Sequence, residues 1–140
     1  MSPEPVLGPL WNIGCKIEDL AAEIRFFERL GARLRLDETL PGLTGPIEYA
    51  ILELGGTRIL LTPTPVFESA LGYDLRPGLT HAVFEVEDHE DAIRRITEAG
   101  ARPLTEPRSI EAGFGRRRVA FFQSPGGLVF EALKIDEARI

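Results

Sequence analysis

Apolar and polar positions along the chain follow two rhythms, one with the period of a strand and one with the period of a helix. In Trp11 to Ile17, the residues Ile13, Cys15 and Ile17 share one strand face, and Asn12, Gly14 and Lys16 share the other. A helix is predicted next, capped by Asp19, with Leu20, Ile24, Phe27 and Leu30 on its buried stripe and Gly31 as its terminator. Arg33 to Asp37 begins another strand. Tyr49 to Leu54 and Thr57 to Thr62 form a hairpin around Gly55-Gly56, a pair able to take the positive φ angles of a tight turn.

The same succession then repeats. Asn12 to Arg33 lies over His81 to Arg102 without gaps, at an offset of 69 residues, with seven of 22 positions identical. In the second copy Ala82, Phe84 and Val86 form the apolar strand face, and His81, Val83 and Glu85 the mixed one. Asp88 caps the second helix, Ile93, Ile96 and Ala99 are its core candidates, and Gly100 ends it. Ala50 to Leu60 echoes Ala120 to Glu131 with one residue inserted, so Arg118 to Gln123 and Leu128 to Leu133 make the second hairpin around Gly126-Gly127. The mixed faces are expected to line an opening, and the apolar faces to pack on each module's own helix. Pro63 to Pro77 reads as a linker with one short turn of helix. Glu38 to Pro46 and Glu106 to Gly115 read as long irregular stretches that control access to a site.

Composition narrows the classes of function. The 140 residues, 44% hydrophobic and 27% charged, suit one folded domain. A net charge of −6 argues against nucleic-acid or anionic-membrane partners. Arg116-Arg117-Arg118 is too short to reverse that, and reads as a solvated strand entry or a local anion contact. Cys15 is the only cysteine, which excludes an intrachain disulfide and a cysteine-rich zinc site. Neither a signal-like apolar run near the start nor a stretch of membrane-span length is present, so a cytoplasmic protein is expected. His89, in the first turn of a helix, is expected to be exposed.

The second half, "LTHAVFEVEDHEDAIRRITEAGA" followed by "GFGRRRVAFFQSPGGLVFEALK", resembles the vicinal oxygen chelate superfamily. That group includes glyoxalase I, extradiol dioxygenases, fosfomycin-resistance enzymes, methylmalonyl-CoA epimerase and bleomycin-resistance proteins. The run "SPGGLVFE" is similar to the family's Asp-Pro-x-Gly turn and glutamate-ending strand, with Ser124 in place of the aspartate. The resemblance implies an α+β fold of two tandem βαβββ modules whose sheets form a cup-shaped cleft. Module one would span about 9–63, a linker 64–78 and module two about 79–135. In metal-dependent members each module supplies one ligand from its first strand and one from its last. Those four slots fall on Asn12, Leu60, His81 and Glu131.

The second module thus keeps both ligand types, and the first keeps neither. His81 and Glu131 are the candidate catalytic pair and the candidate ligands of a divalent metal (Fe, Mn, Mg, Zn or Ni). A metal site would need a further donor, for which Tyr49, Glu53 and Gln123 are candidates if they turn inward. Asn12, Leu60, Arg58, Phe121 and the loop residue Phe114 are further candidates to face a ligand. As strand neighbours, His81 and Glu131 are expected to pair, raising the histidine pKa. The resemblance implies a small-molecule ligand or substrate and a homodimer. It leaves open a binding protein of the bleomycin-resistance type, or a lyase, isomerase or dioxygenase.

Overall fold

The computed structural model describes residues 5–42 and 45–140. The first module contains β1 (Leu10–Lys16), α1 (Leu20–Arg29), β2 (Arg33–Pro41), β3 (Pro46–Leu54) and β4 (Thr57–Thr62). A connecting segment carries the short helix α2 (Glu68–Leu71). The second module contains β5 (Gly78–Glu85), α3 (His89–Glu98), β6 (Arg102–Pro103), β7 (Arg108–Ala112), β8 (Gly115–Gln123) and β9 (Val129–Ala138). All nine strands form one curled mixed sheet in the order β2-β3-β4-β1-β5-β9-β8-β6, with β7 also paired to β8.

The repeat read from the sequence is a symmetry of this sheet. In each module the first strand pairs in parallel with the last: Ile13 with Ile59, and Ala82 with Phe130. The two halves join through the antiparallel pair β1–β5, so the modules pair with each other within one chain. Strand alternation separates two sides. On the outer side, α1 covers Ala50, Leu52, Ile59 and Leu61, and α3 covers Ala120, Phe122, Phe130 and Ala132. Burial of each large apolar side chain there contributes roughly 1.5–3 kcal/mol. Trp11, Tyr49, Ile51, Val83, Phe114, Val119 and Leu133 cluster on the inner side, drawn from both modules.

Asp19 and Asp88 cap α1 and α3 as expected, accepting hydrogen bonds from Ala22 N and Asp91 N. Several expectations need correction. The supposed irregular stretches are largely strands, because β2 runs to Pro41 and pairs with β3, and β7 pairs with β8. They are polar because each has an exposed face, and their ladder partners hold them extended; residues 43 and 44 lie outside the described residues. Leu30 and Ala99 are exposed rather than core, since both sit at the helix C-cap. His89 is buried and within 3.2 Å of the Ala132 carbonyl, because the first turn of α3 faces β9. Gly55 and Gly56 both take positive φ, but in the second hairpin only Gly127 does, Gly126 following Pro125 in a turn closed by Gly127 N to Ser124 O.

Candidate functional site

The inner face of the sheet surrounds a cavity of about 130 Å³. That is close to the ~150 Å³ that holds a benzene-sized guest in an apolar protein interior. Alternate residues of each strand supply its wall: Ile47, Tyr49 and Ile51 from β3, and Arg117, Val119 and Phe121 from β8. Asn12, Leu60, His81 and Glu131 all reach it, one from each of the four central strands. Leu40, Val83, Ile110 and Phe114 complete a largely apolar lining.

The connecting segment closes one side through Thr64, Pro65, Val66 and Phe67. Lys16 fixes this segment, donating to Glu68 Oε2 at 2.5 Å and to the Leu75 carbonyl at 2.9 Å. It therefore ties β1 to the linker. Phe67 meets the His81 ring at 5.0 Å and the Phe121 ring at 5.2 Å.

His81 fits because of Gly14, its partner across β1 and β5. A Cβ at Gly14 would lie 1.9 Å from His81 Cε1. The Thr80 hydroxyl donates to the Gly14 carbonyl at 3.1 Å, and its oxygen lies 3.2 Å from His81 Nδ1. With its proton so committed, that oxygen accepts from Nδ1–H, which leaves Nε2 with a free lone pair. Burial pushes the His81 pKa down to about 4, so the imidazole is neutral near pH 7.

Glu131 stands at the floor of the cup. Burial pushes its pKa up to about 8, with Arg117 partly opposing, so near neutrality it is chiefly a carboxylic acid. The expected His81–Glu131 pair does not form among the described residues. Val83, not His81, is opposite Glu131, so the two side chains start about 6–7 Å apart along the strands. The histidine pKa accordingly moves down with burial, not up with a charge partner.

Arg117 is the cation of the cup, a residue the sequence reading did not single out within the basic cluster at the strand entry. It is only 5% exposed, while Arg116 and Arg118 point outward to Glu137 and Asp136. Its guanidinium lies over Trp11 at 4.1 Å and over Phe114 at 4.2 Å. Burial lowers its pKa to about 10, which leaves it charged at neutral pH. The signal was strand parity with Val119 and Phe121. A register shift between Leu10 and Asn12 lets both Trp11 and Asn12 serve the inner side. Phe67, hidden in a proline-rich linker, and Glu38 were also missed. Glu38 accepts from the Tyr49 hydroxyl and from Gly113 N, tying module one to the segment that carries Phe114. Burial and Glu38 together push the Tyr49 phenol well above its ordinary range.

Three sequence candidates do not line the cavity. Glu53 has the right parity but sits near the hairpin end, bonded to Arg35 at 2.5 Å. Gln123 ends β8 and bonds Arg102 and the Gly127 carbonyl. Arg58 stacks on the Trp11 ring at 4.3 Å and donates to the Trp11 carbonyl.

These positions do not fit a divalent metal. No group of three or more His, Cys, Asp or Glu side chains suited to one occurs among the described residues. Leu60 has no donor atom, Glu53 and Gln123 are engaged elsewhere, and the Arg117 cation acts on the Glu131 carboxyl. A tight site asks for about three protein donors without a competing cation.

The chain belongs to the Glyoxalase/Bleomycin resistance protein/Dioxygenase superfamily, whose model matches residues 15–132. No curated protein sequence matches it. Among solved structures it is similar to methylmalonyl-CoA epimerase from Mycobacterium tuberculosis, at 25% identity and a TM-score of 0.72, covering 98% of this chain and 94% of that one. The Streptomyces coelicolor methylmalonyl-CoA epimerase in complex with 2-nitronate-propionyl-CoA is 22% identical, with a TM-score of 0.71 and coverage of 94% and 99%. A variant of 4-hydroxymandelate synthase from Streptomyces coelicolor is 18% identical, with a TM-score of 0.72, and the match spans 96% of this chain but 50% of that one. The last two likenesses speak to fold alone. No helix among the described residues is long and apolar enough to cross a membrane.

Proposed function

We propose that the protein binds a small molecule in the cup without a metal ion. One observation carries this reading: the four family slots converge on one cavity, yet module one fills its two with an amide and an aliphatic side chain. The apolar wall and ring-sized volume then favour an apolar ligand body with few polar groups. Assembly as a homodimer, which would cover exposed apolar side chains such as Phe26, Leu30 or Leu79, belongs to the same reading. The lone unpaired Cys15 agrees with a cytoplasmic setting.

A thermal-shift experiment with phenol and benzamide, with and without EDTA, tests the reading. The melting temperature of the ligand-free protein is expected to be unchanged by EDTA. Each ring compound is expected to raise it equally in both buffers. A drop with EDTA would establish a structural or catalytic metal instead, and no response to either compound would remove the binding reading.

A second reading is favoured by Glu131, a protonated acid at neutral pH facing the cavity. It makes the cup a metal-independent lyase or isomerase site in which Glu131 transfers a proton and the neutral His81 Nε2 accepts one. Turnover lost in Glu131→Gln while ring-compound binding persists would distinguish it.

A further inference from the structure

Arg117 carries two donor nitrogens with no use among the described residues. Its Nε and Nη2 are buried and have no hydrogen-bond partner among the described residues. These two nitrogens form one edge of the guanidinium, the parallel pair of donors that matches the two oxygens of a carboxylate. No ion pair among the described residues includes Arg117, although Glu131 and Glu85 both act on it from a distance. Its contacts are the faces of Trp11 and Phe114, which compensate the charge but leave the donors unsatisfied. Leaving such donors unmade is costly, the more so on a charged group. The side chain nevertheless lies in the wall of the cavity that Glu131 and Val119 also line.

We propose that Arg117 is the anion-recognition element of the cup, and that the ligand is a small organic carboxylate whose ring-sized apolar body fills the cavity. The inference rests on the metal-free binding reading above and adds the chemical class of its ligand. Charge decides the class. One guanidinium neutralises one negative charge, whereas a phosphate dianion would bring an uncompensated charge into a wall made mostly of Leu, Ile, Val and Phe. Access decides the moving part. The free edge is closed to water in the ligand-free protein, so a carboxylate reaches it only when a neighbouring side chain gives way, and Phe114, packed on the guanidinium face, is the glycine-flanked one. Phe114 sits between Gly113 and Gly115, at the junction of β7 and β8.

Calorimetric titration of the protein in EDTA-containing buffer with benzoate and with benzamide tests this, since the two differ in charge and hardly in shape. Benzoate is expected to bind at least about tenfold more tightly, as charge-assisted hydrogen bonds imply. In Arg117→Met the preference is expected to vanish while benzamide affinity stays within about threefold. Arg117→Lys keeps the charge without the fork and is expected to lose most of the preference, which preserves the test if the Met variant does not fold. Equal binding of acid and amide by the unaltered protein would overturn the carboxylate assignment and leave the binding reading standing. A preference for benzoate that survives both substitutions would overturn the role of Arg117. Binding of neither compound would overturn both inferences.

Discussion

Outside the cup the two modules are near copies; inside it they have parted. Each stacks one Asp-capped helix on the outer side of its own strands, and each pairs its first strand in parallel with its last. The cavity positions correspond just as closely. Asn12 answers to His81, Leu60 to Glu131, and Ile47 to Arg117. At these three positions module one offers an apolar or uncharged side chain where module two offers an ionisable one. Scaffold and chemistry are thus separately adjustable, because strand alternation assigns them to opposite sides of the sheet. At these positions module one supplies uncharged wall and module two the ionisable groups.

The largest test of that division is pH. Glu131 keeps its proton to about pH 8 in the folded protein, against a usual value near 4.5 when unfolded. Between those values the folded state binds more protons, so its stabilising contribution is complete below about pH 4.5 and is lost as pH rises through 8. His81 acts with the opposite sign. Its folded pKa of about 4 lies below the ordinary 6.5, so its contribution is complete above pH 6.5 and is lost as pH falls through 4. Both limits come from module two, since neither Asn12 nor Leu60 titrates. Glu131→Gln, which mimics the protonated acid, is expected to be more stable than the unaltered protein at pH 9 by on the order of 3 kcal/mol. The advantage should shrink to nothing below pH 4.5. Denaturant unfolding across pH reads this directly; parallel curves for the two proteins would mean that Glu131 is not held uncharged.

A smaller effect tests the seam between modules. Gly14 of module one leaves the space that the His81 ring occupies. The equivalent position in module two is Val83, which faces Asn12 across the same strand pair. Gly14→Ala is expected to cost about 1–3 kcal/mol through overpacking. In a His81→Ala background the same change should cost much less, giving a coupling energy of at least about 1 kcal/mol in a double-mutant cycle. Additive effects would show that the ring does not depend on the glycine.

Most of the scaffold was legible in the sequence because it rests on periodicity, which is local. Asp19 and Asp88, the paired hairpins, and the inner and outer faces of β1 and β5 could all be read from spacing. The convergence of Asn12, Leu60, His81 and Glu131 was read from a resemblance, and their strands do bring them to one cavity. What escaped was set by distant partners. Arg117 looked like one member of a solvated basic run, until pairing with β7 and β9 turned alternate arginines to opposite sides. Phe67 gained its place only because Lys16 and Glu68 pin the linker. Glu53 and Gln123 have cavity parity but lie at strand ends, where Arg35 and Arg102 hold them. The titration of His81 could not be anticipated, because burial depth rather than strand adjacency controls it.

The smallest expected effect is an equality, and it tests the claim that the scaffold is shared. Asp19 and Asp88 have nearly the same backbone angles, φ −119° and ψ 103° against φ −120° and ψ 105°. Each accepts from the amide three residues onward, at 3.1 Å and 3.0 Å. Removing either side chain leaves the same donor unsatisfied at the same kind of exposed helix start. Asp19→Ala and Asp88→Ala are each expected to cost about 1 kcal/mol, lowering the melting temperature by roughly 4 °C. The two losses should agree within about 0.5 kcal/mol and add in the double variant, because the caps belong to separate helices with no shared partner. Neither substitution touches a cavity residue, so ring-compound binding should be unchanged. A cap that proved silent in one module and costly in the other would show that the asymmetry of the cup extends into the framework that carries it.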